Sequence, residues 1–130
     1  MLMAGHDGKC KNFTAEVLPG AIASYVALPT NNYTALMNAV ANVGPIAISA
    51  DAEPWQMYEG GVFSGKGSDI DHAIQLVGYG TAKAVFKSKD YWLVRNSWGA
   101  SWGEKGYIRI ERLGEGSEPC AEDTTPGDGA

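Results

Sequence analysis

The feature that most constrains this chain is one stretch at positions 91–110, with the sequence YWLVRNSWGASWGEKGYIRI. It starts with alternating side chains that predict a strand, and that strand delivers Asn96 to its end. A loop with three glycines and two tryptophans, Trp98 and Trp102, follows before alternation resumes at Tyr107. A buried asparagine costs a few kcal/mol unless its amide is paired, so Asn96 requires partners. Taken alone, the stretch also fits a plain β-hairpin with an aromatic-anchored loop.

Size and charge limit the class of protein. A chain of 130 residues is typically one domain, and 45% hydrophobic residues allow one core. The chain carries 15 acidic against 10 basic residues, whereas a nucleic-acid partner requires a basic surface. It has no apolar run of the roughly 18 residues that a membrane span needs, and its start lacks the pattern of a signal peptide. We therefore expect neither nucleic acid nor membrane as a partner.

The domain division follows composition. Residues 1–12 are polar and glycine-rich, which predicts a flexible lead-in. Residues 13–113 alternate apolar and polar positions and predict the folded domain. Residues 114–130 are rich in Gly, Glu and Pro, which predicts a loop and tail.

Periodicity predicts one helix followed by strands. Pro29 to Asn32 form a helix start signal, and the apolar residues from Tyr33 to Val40 recur at helical spacing, with an end near Asn42 to Gly44. One helical turn is expected within 51–58 and a hairpin connection over 80–88. The predicted strands are 46–50, 70–79, 91–96 and 107–111. Such hairpin-linked strands commonly curl into a barrel or a twisted sheet.

Four ordered motifs resemble the papain-like cysteine proteases, and the likeness covers roughly Lys9 to Cys120. They are Gly44-Pro45-Ile46, Tyr58 to Phe63, Asp71 to Gly80, and Asn96 to Gly103. The resemblance implies an α+β fold: a mainly antiparallel, β-barrel-like right-hand domain with one short helix, with the helical left-hand domain missing. It also implies the C-terminal part of a cysteine endopeptidase.

The residue types suit that chemistry. Thiol proteolysis needs a thiolate, an imidazole that accepts and returns a proton, a group that orients the imidazole, and oxyanion donors. His72 suits the second role, and the Asn96 amide can orient the ring without taking its proton. Both lie near ends of predicted strands, which adjacent antiparallel strands can bring together. Trp98 can cover the resulting hydrogen bond and exclude water.

The resemblance implies roles for ten side chains. His72 resembles the general acid and base, Asn96 its orienting partner, Trp98 the shield, and Asp71 a group that tunes local electrostatics. Thr125 is a candidate for the floor of the pocket that takes the second residue before the scissile bond. The residues that match substrate-binding positions are Ser49, Ile70 and Ala73 in that pocket, and Trp55 and Trp102 on the leaving-group side.

The chain departs from the family at its cysteines. It lacks the Gly-Ser-Cys-Trp segment that carries the nucleophile and the glutamine that supplies an oxyanion donor. By resemblance, Cys10 bridges to the other domain, and Cys120 bridges to a cysteine before the histidine. Residues 64–68 hold no cysteine, so that second bridge is expected to be absent. We expect a fragment, or a gene product truncated to an internal methionine, that is inactive by itself.

Two other readings stay open: a catalytically inactive papain-like binding or structural homologue, and a stand-alone β-domain that binds a protease or inhibitor. No cofactor is expected, and two histidines without ligand spacing predict no metal site. The expected partners are a polypeptide substrate, the N-terminal helical domain of the same protease, and a propeptide or protein inhibitor. The resemblance implies a lysosomal, vacuolar or extracellular location, and two glycosylation sequons, at Asn12 and Asn32, agree with a secretory route.

Overall fold

The structure, a computed structural model, describes residues 22–127. The predicted lead-in and Cys10 lie outside these residues. The elements in chain order are α1 (Tyr33–Asn42), β1 (Ile46–Ala50), a 3-10 turn (Glu53–Trp55), β2 (Val62–Phe63), β3 (His72–Ala82), β4 (Lys89–Arg95) and β5 (Tyr107–Glu111). No helix in the described part combines the length and apolar character that crossing a bilayer requires.

The helix α1 begins and ends where the sequence predicts. Asn32 is its N-cap, and the Asn32 side chain accepts a hydrogen bond from the backbone N–H of Ala35 at 2.7 Å. The helical face predicted from periodicity is the inward one, with Val40 buried and Leu36 packed against the core. Gly44, at φ +128°, lies just beyond the helix and turns the chain into β1.

The five strands form one sheet in the order β1-β3-β4-β5-β2. Every neighbouring pair is antiparallel except β2 and β5, which run parallel. This confirms an α+β fold with a mainly antiparallel sheet. In the described residues the sheet is open rather than closed, because β2 has only two residues and pairs with β5 alone, so β1 and β2 remain its edges.

The central hairpin is longer than the sequence predicts and starts later. β3 was expected over 70–79 but runs from His72 to Ala82, and β4 begins at Lys89 rather than Tyr91. The ladder extends to the pair Ala82 and Lys89, and the Thr81 hydroxyl donates to the Asp90 carboxylate at 2.6 Å. That hydrogen bond across the hairpin supports pairing where polar composition predicts only a loop.

The core lies between α1, the 3-10 turn and the inward face of the sheet. Its most deeply buried side chains are Leu76, Val94 and Ile108, one from each of the three central strands. Val94 and Asn96 are both buried while Arg95 between them is exposed, as strand alternation predicts. The core therefore fixes the face on which Asn96 emerges from β4.

Candidate active site

His72 and Asn96 meet at one end of the two longest strands. Gln75 on β3 lies opposite Arg95 on β4, so Asn96 follows at the next position, close to the start of β3. The distance from His72 Nε2 to Asn96 Oδ1 is 2.9 Å. Asn96 is 8% exposed. No other polar or charged residue in the described part of the chain is buried.

The Asn96 amide fixes the tautomer of the imidazole. Its Oδ1 also accepts a hydrogen bond from the backbone N–H of Ser97 at 2.7 Å, which requires the amide oxygen to be at this position. An amide oxygen only accepts, so the His72 proton lies on Nε2 in the neutral ring. Nδ1 is then the ring nitrogen that can take a proton from another group.

Two indoles cover this pair. The ring of Trp98 lies 5.4 Å from the His72 ring, centroid to centroid, with the planes tilted by 32°. Trp102 packs edge-on against Trp98 at 5.0 Å and contacts Tyr58 at 5.6 Å. The Trp98 ring therefore lies against the His72 ring, and Trp102 packs behind Trp98.

The loop that carries the indoles depends on glycine. Gly103 and Gly106 both have positive φ, at +52° and +90°. A Cβ at Gly103 would lie 2.8 Å from the carbonyl oxygen of Tyr107, and one at Gly106 would lie 3.2 Å from that of Gly99. The backbone N–H of Asn96 donates to the Gly106 carbonyl at 2.9 Å. The turns of the loop thus hold Asn96 and Trp98 from both sides.

Asp71 supports the site through the backbone. Its carboxylate accepts a hydrogen bond from the N–H of Ala52 at 2.8 Å, and its own N–H donates to the Ala50 carbonyl at 3.2 Å. These bonds join the end of β1 to the start of β3 and hold the 3-10 turn beside His72. A cleft opens there, lined by Ala52, Glu53, Gln56, Asp71, His72 and Trp98.

Three residues of that cleft, Ala52, Glu53 and Gln56, were not predicted from the sequence. They lie in and directly beside the 3-10 turn, a segment predicted only as one helical turn. The single signal available was their position two, three and six residues after the end of β1, which by itself does not indicate which way the side chains face.

The predicted substrate-binding residues divide into two groups. Ser49 and Ala73 lie directly opposite each other on β1 and β3, and both are exposed. The backbone N–H of Ile70 donates to the Asp123 carboxylate at 3.2 Å, and the Thr125 hydroxyl donates to the Asp69 carboxylate at 2.6 Å. The tail therefore lies against the segment that precedes His72, and no pattern in the sequence pointed to Asp123.

The tryptophans expected on the leaving-group side differ from each other. Trp55 is 3% exposed and belongs to the hydrophobic core. The 3-10 turn points its indole inward, where its large apolar area is removed from water. Trp102 is partly buried beneath Trp98, and its indole N–H is buried without an acceptor in the described part of the chain.

On the side of the loop away from His72, Arg109 and Glu104 form an ion pair. Arg109 donates from Nε to Glu104 Oε2 at 2.7 Å and from Nη2 to Oε1 at 2.5 Å. Glu104 Oε1 also accepts from the N–H of Gly61 at 3.0 Å, and the Tyr58 hydroxyl donates to the Gly61 carbonyl at 2.7 Å. The Arg109 hydrogen bonds lower the pKa of Glu104, and burial raises the pKa of Tyr58.

The described residues hold no nucleophile beside the imidazole. Cys120 is exposed in the tail and has no disulfide partner among residues 22–127. The residues that line the cleft at His72 include no serine, threonine or cysteine. No group of three potential metal ligands occurs in the part of the chain that the structure describes.

Comparison with known proteins gives one consistent family. Papain family cysteine protease is the description of the family model that matches residues 3–125. Germination-specific cysteine protease 1 of Arabidopsis thaliana is 44% identical over 110 residues, which are 83% of this chain and 28% of that protein. Cysteine proteinase 1 of Dictyostelium discoideum is 41% identical over 104 residues, 78% of this chain and 30% of the relative.

Solved structures agree with the sequence relatives. Bromelain from Ananas comosus, in complex with the E64 inhibitor, gives a TM-score of 0.58 at 45% identity. The match covers 65% of this chain and 38% of the bromelain chain. Digestive procathepsin L 3 of Tenebrio molitor gives a TM-score of 0.56 at 39% identity. The match covers 65% of this chain and 28% of the procathepsin chain. The chain spans about a third of the length of the curated relatives it matches. It belongs to the papain family of cysteine proteases.

Proposed function

We propose that this chain supplies the histidine–asparagine half of a peptide-hydrolysing site, with His72 as general acid and base and Asn96 as its orienting partner. The observation that carries the proposal is the 2.9 Å contact from His72 Nε2 to Asn96 Oδ1 beneath the Trp98 ring. The contact commits Nε2 to the amide and leaves Nδ1 for proton transfer. Asp71 holds the turn beside the imidazole, and Trp98 shields the hydrogen bond.

The geometry defines the part that each group plays. A thiol placed against His72 Nδ1 transfers its proton to that nitrogen, which forms a thiolate and an imidazolium. The thiolate attacks the peptide carbonyl, and the imidazolium returns the proton to the nitrogen of the leaving amine. The imidazole then takes a proton from water as the water oxygen bonds to the acyl carbon. The carbon–sulfur bond breaks, the acid product leaves, and the thiolate and imidazolium are restored. Asn96 stays neutral throughout and keeps the ring in one orientation.

The thiol comes from outside the described residues in this proposal, and neither Cys10 nor Cys120 has the sequence context of a nucleophile. The chain alone therefore has no peptidase activity, because an imidazole without a thiolate forms no acyl-enzyme. The substrate is a polypeptide, and a propeptide or protein inhibitor is the expected regulator. A lysosomal, vacuolar or extracellular compartment fits a protease of this class.

The test compares the 130-residue chain with the same chain joined to a nucleophile-bearing helical domain of the family. We expect no hydrolysis of a fluorogenic dipeptidyl substrate by the chain alone, and no labelling of its cysteines by an epoxide probe. In the joined protein, His72→Ala should lower kcat/KM by about 10²–10⁴-fold, the range for general acid–base catalysis. Asn96→Ala should leave more activity, since the amide only orients the ring.

A matched control is His6→Ala, which removes a histidine that lies outside the described residues and that the proposal assigns no role. Labelling of Cys10 or Cys120 in the isolated chain would overturn the assignment of the nucleophile to another segment. Activity that survives His72→Ala unchanged would overturn the role of the imidazole.

A further inference from the structure

The connection between β3 and β4 carries the two most exposed large apolar side chains in the described residues. Val85 is 94% exposed, and Phe86 is 100% exposed. Both belong to residues 83–88, which we call the hairpin tip and which follow the last ladder pair, Ala82 and Lys89. The tip makes no backbone hydrogen bond in the described part of the chain. Exposed apolar groups that lie together mark a contact surface, whereas single ones are ordinary.

Lysines flank the apolar pair on both sides. Lys83 and Lys87 are exposed and form no ion pair within the described residues. The tip contains no acidic residue. The two carboxylates beside its base, Asp90 and Glu111, are each paired with a basic side chain. The tip therefore carries two unpaired positive charges on a chain whose formal net charge is −5.

The hairpin tip lies at the other end of β3 from the candidate active site. β3 runs from His72 to Ala82, and a strand rises about 3.3 Å per residue, so the tip is roughly 30 Å from His72. The Debye length at physiological ionic strength is about 8 Å, so charges this far apart are screened from each other. The carboxylates around His72 therefore do not prevent the tip from approaching a negative surface, and a contact at the tip leaves the cleft at His72 open.

We propose that the hairpin tip is a contact site for the surface of an anionic lipid bilayer. Val85 and Phe86 insert at the level of the headgroups, where apolar and aromatic side chains are stabilised. Lys83 and Lys87 lie against the anionic headgroups, which attract basic residues close to the membrane surface. The combination of apolar side chains at the end of the tip with lysines around them matches this boundary between charge and hydrocarbon.

The size of the tip favours a bilayer over a folded protein as the partner. A stable protein interface takes roughly 20–30 residues from each side, whereas the tip has six residues. A bilayer requires only that apolar side chains reach the headgroup region and that the charges match. The prediction from the sequence that membranes are not partners rested on the lack of a long apolar run and on the overall negative charge. A local surface contact depends on neither, so the proposal replaces that prediction at this one surface.

The first experiment measures sedimentation of the 130-residue chain with vesicles of phosphatidylcholine, alone or with about 30% phosphatidylserine as the anionic lipid. We expect binding to the anionic vesicles that weakens as salt is added, and at least about tenfold weaker binding to the neutral ones. Lys83→Gln and Lys87→Gln should each lower the partition coefficient about fivefold. Phe86→Ser should lower it about tenfold or more, because a large apolar side chain no longer leaves water.

Two matched controls lie away from the tip. Lys105→Gln removes an exposed lysine from the loop beyond the other end of β4. Met57→Ser removes an apolar side chain that is 89% exposed and has no lysine beside it in the sequence. Both variants should bind the anionic vesicles as the parent does. Parent-like binding by Phe86→Ser, or equal binding of the parent to neutral and anionic vesicles, would overturn the proposal.

The second experiment measures insertion directly. Phe86→Trp should add fluorescence that anionic vesicles of brominated lipid quench, and Met57→Trp should add fluorescence that they do not quench. No quenching at position 86, or equal quenching at both positions, would overturn the proposal. Binding to polyglutamate as tight as that to the vesicles would instead identify an acidic polypeptide as the partner and would also overturn it. Neither experiment involves hydrolysis, so its outcome is independent of the proposed function.

Discussion

The loop between Asn96 and Tyr107 has a closed side, where its charged side chain is paired, and an open side, where the charged side chains are not paired. On one side Glu104 receives two hydrogen bonds from Arg109 and one from the backbone of Gly61. On the other side Lys105, the next residue, has no side-chain partner in the described chain, and Arg95 has none either. Glu104 therefore belongs to a hydrogen-bonded network on the closed side, whereas its neighbour Lys105 belongs to the open side.

The difference between the two sides shows which contacts of the loop are made within the described residues. The Glu104 network ties the loop to β5 and to the segment after Tyr58, so it stabilises the position of Trp102 and Trp98 without outside help. Arg95 and Lys105 have no ion-pair partner in the described residues. One side of the loop is therefore held by hydrogen bonds, while the other carries charges that no described side chain pairs with.

The sharpest test of the closed side is Glu104→Gln in the isolated chain. Glutamine keeps the shape of the side chain but removes the charge and one of the two acceptors that face Arg109. Hydrogen bonds to charged groups contribute about 1.5–3 kcal/mol, so we expect the free energy of unfolding to fall by an amount in that range. Urea unfolding followed by tryptophan fluorescence measures it.

The control for this change is Glu59→Gln, since Glu59 is exposed and makes no side-chain hydrogen bond in the described residues. Substitutions at such sites usually change stability by less than about 0.5 kcal/mol. Equal losses for the two variants would mean that the Arg109 pair does not stabilise the loop.

Acid should remove the same contribution gradually. The Arg109 hydrogen bonds hold the pKa of Glu104 below its ordinary 4.5. A carboxylate with a lowered folded-state pKa contributes stability that is present above the unfolded pKa and lost as pH falls through the folded pKa. We expect the stability gap between the parent and Glu104→Gln to be constant from pH 7 to about 5 and to narrow below about 4.5. A gap that widens on acidification would contradict the sign.

Much of the site was predictable from the sequence because its signals are local. The helix follows from a cap at Asn32 and an apolar period of 3.6, and strand alternation places Val94 and Asn96 on the buried face. The meeting of His72 with Asn96 followed from two strand ends and the resemblance. The cap, the helical period and the strand alternation depend on residues close together in the chain, whereas His72 and Asn96 lie 24 positions apart and needed the resemblance as well.

Sequence reasoning reaches less far where long-range packing decides. The 3-10 turn directs the indole of Trp55 into the core, and no local pattern gives that direction. The open form of the sheet is another such feature, because it depends on how β2 pairs with β5 and not on the two residues of β2 alone. Asp123 was missed because its contact with Ile70 spans 53 positions in the sequence.

Substitutions on the open side should give the smallest change in the free energy of unfolding, and the test is whether that change is as small as expected. Arg95→Gln and Lys105→Gln, each in the isolated chain, should change the free energy of unfolding by less than about 0.5 kcal/mol, because neither side chain has a partner to lose. Arg109→Gln, which breaks the pair with Glu104, is the contrasting variant and should cost about 1.5–3 kcal/mol. Urea unfolding of the three variants at pH 7 compares the two sides directly. A loss at Arg95 or Lys105 as large as that at Arg109 would mean that these charges are already paired within the chain, and the distinction between a closed and an open side would fall.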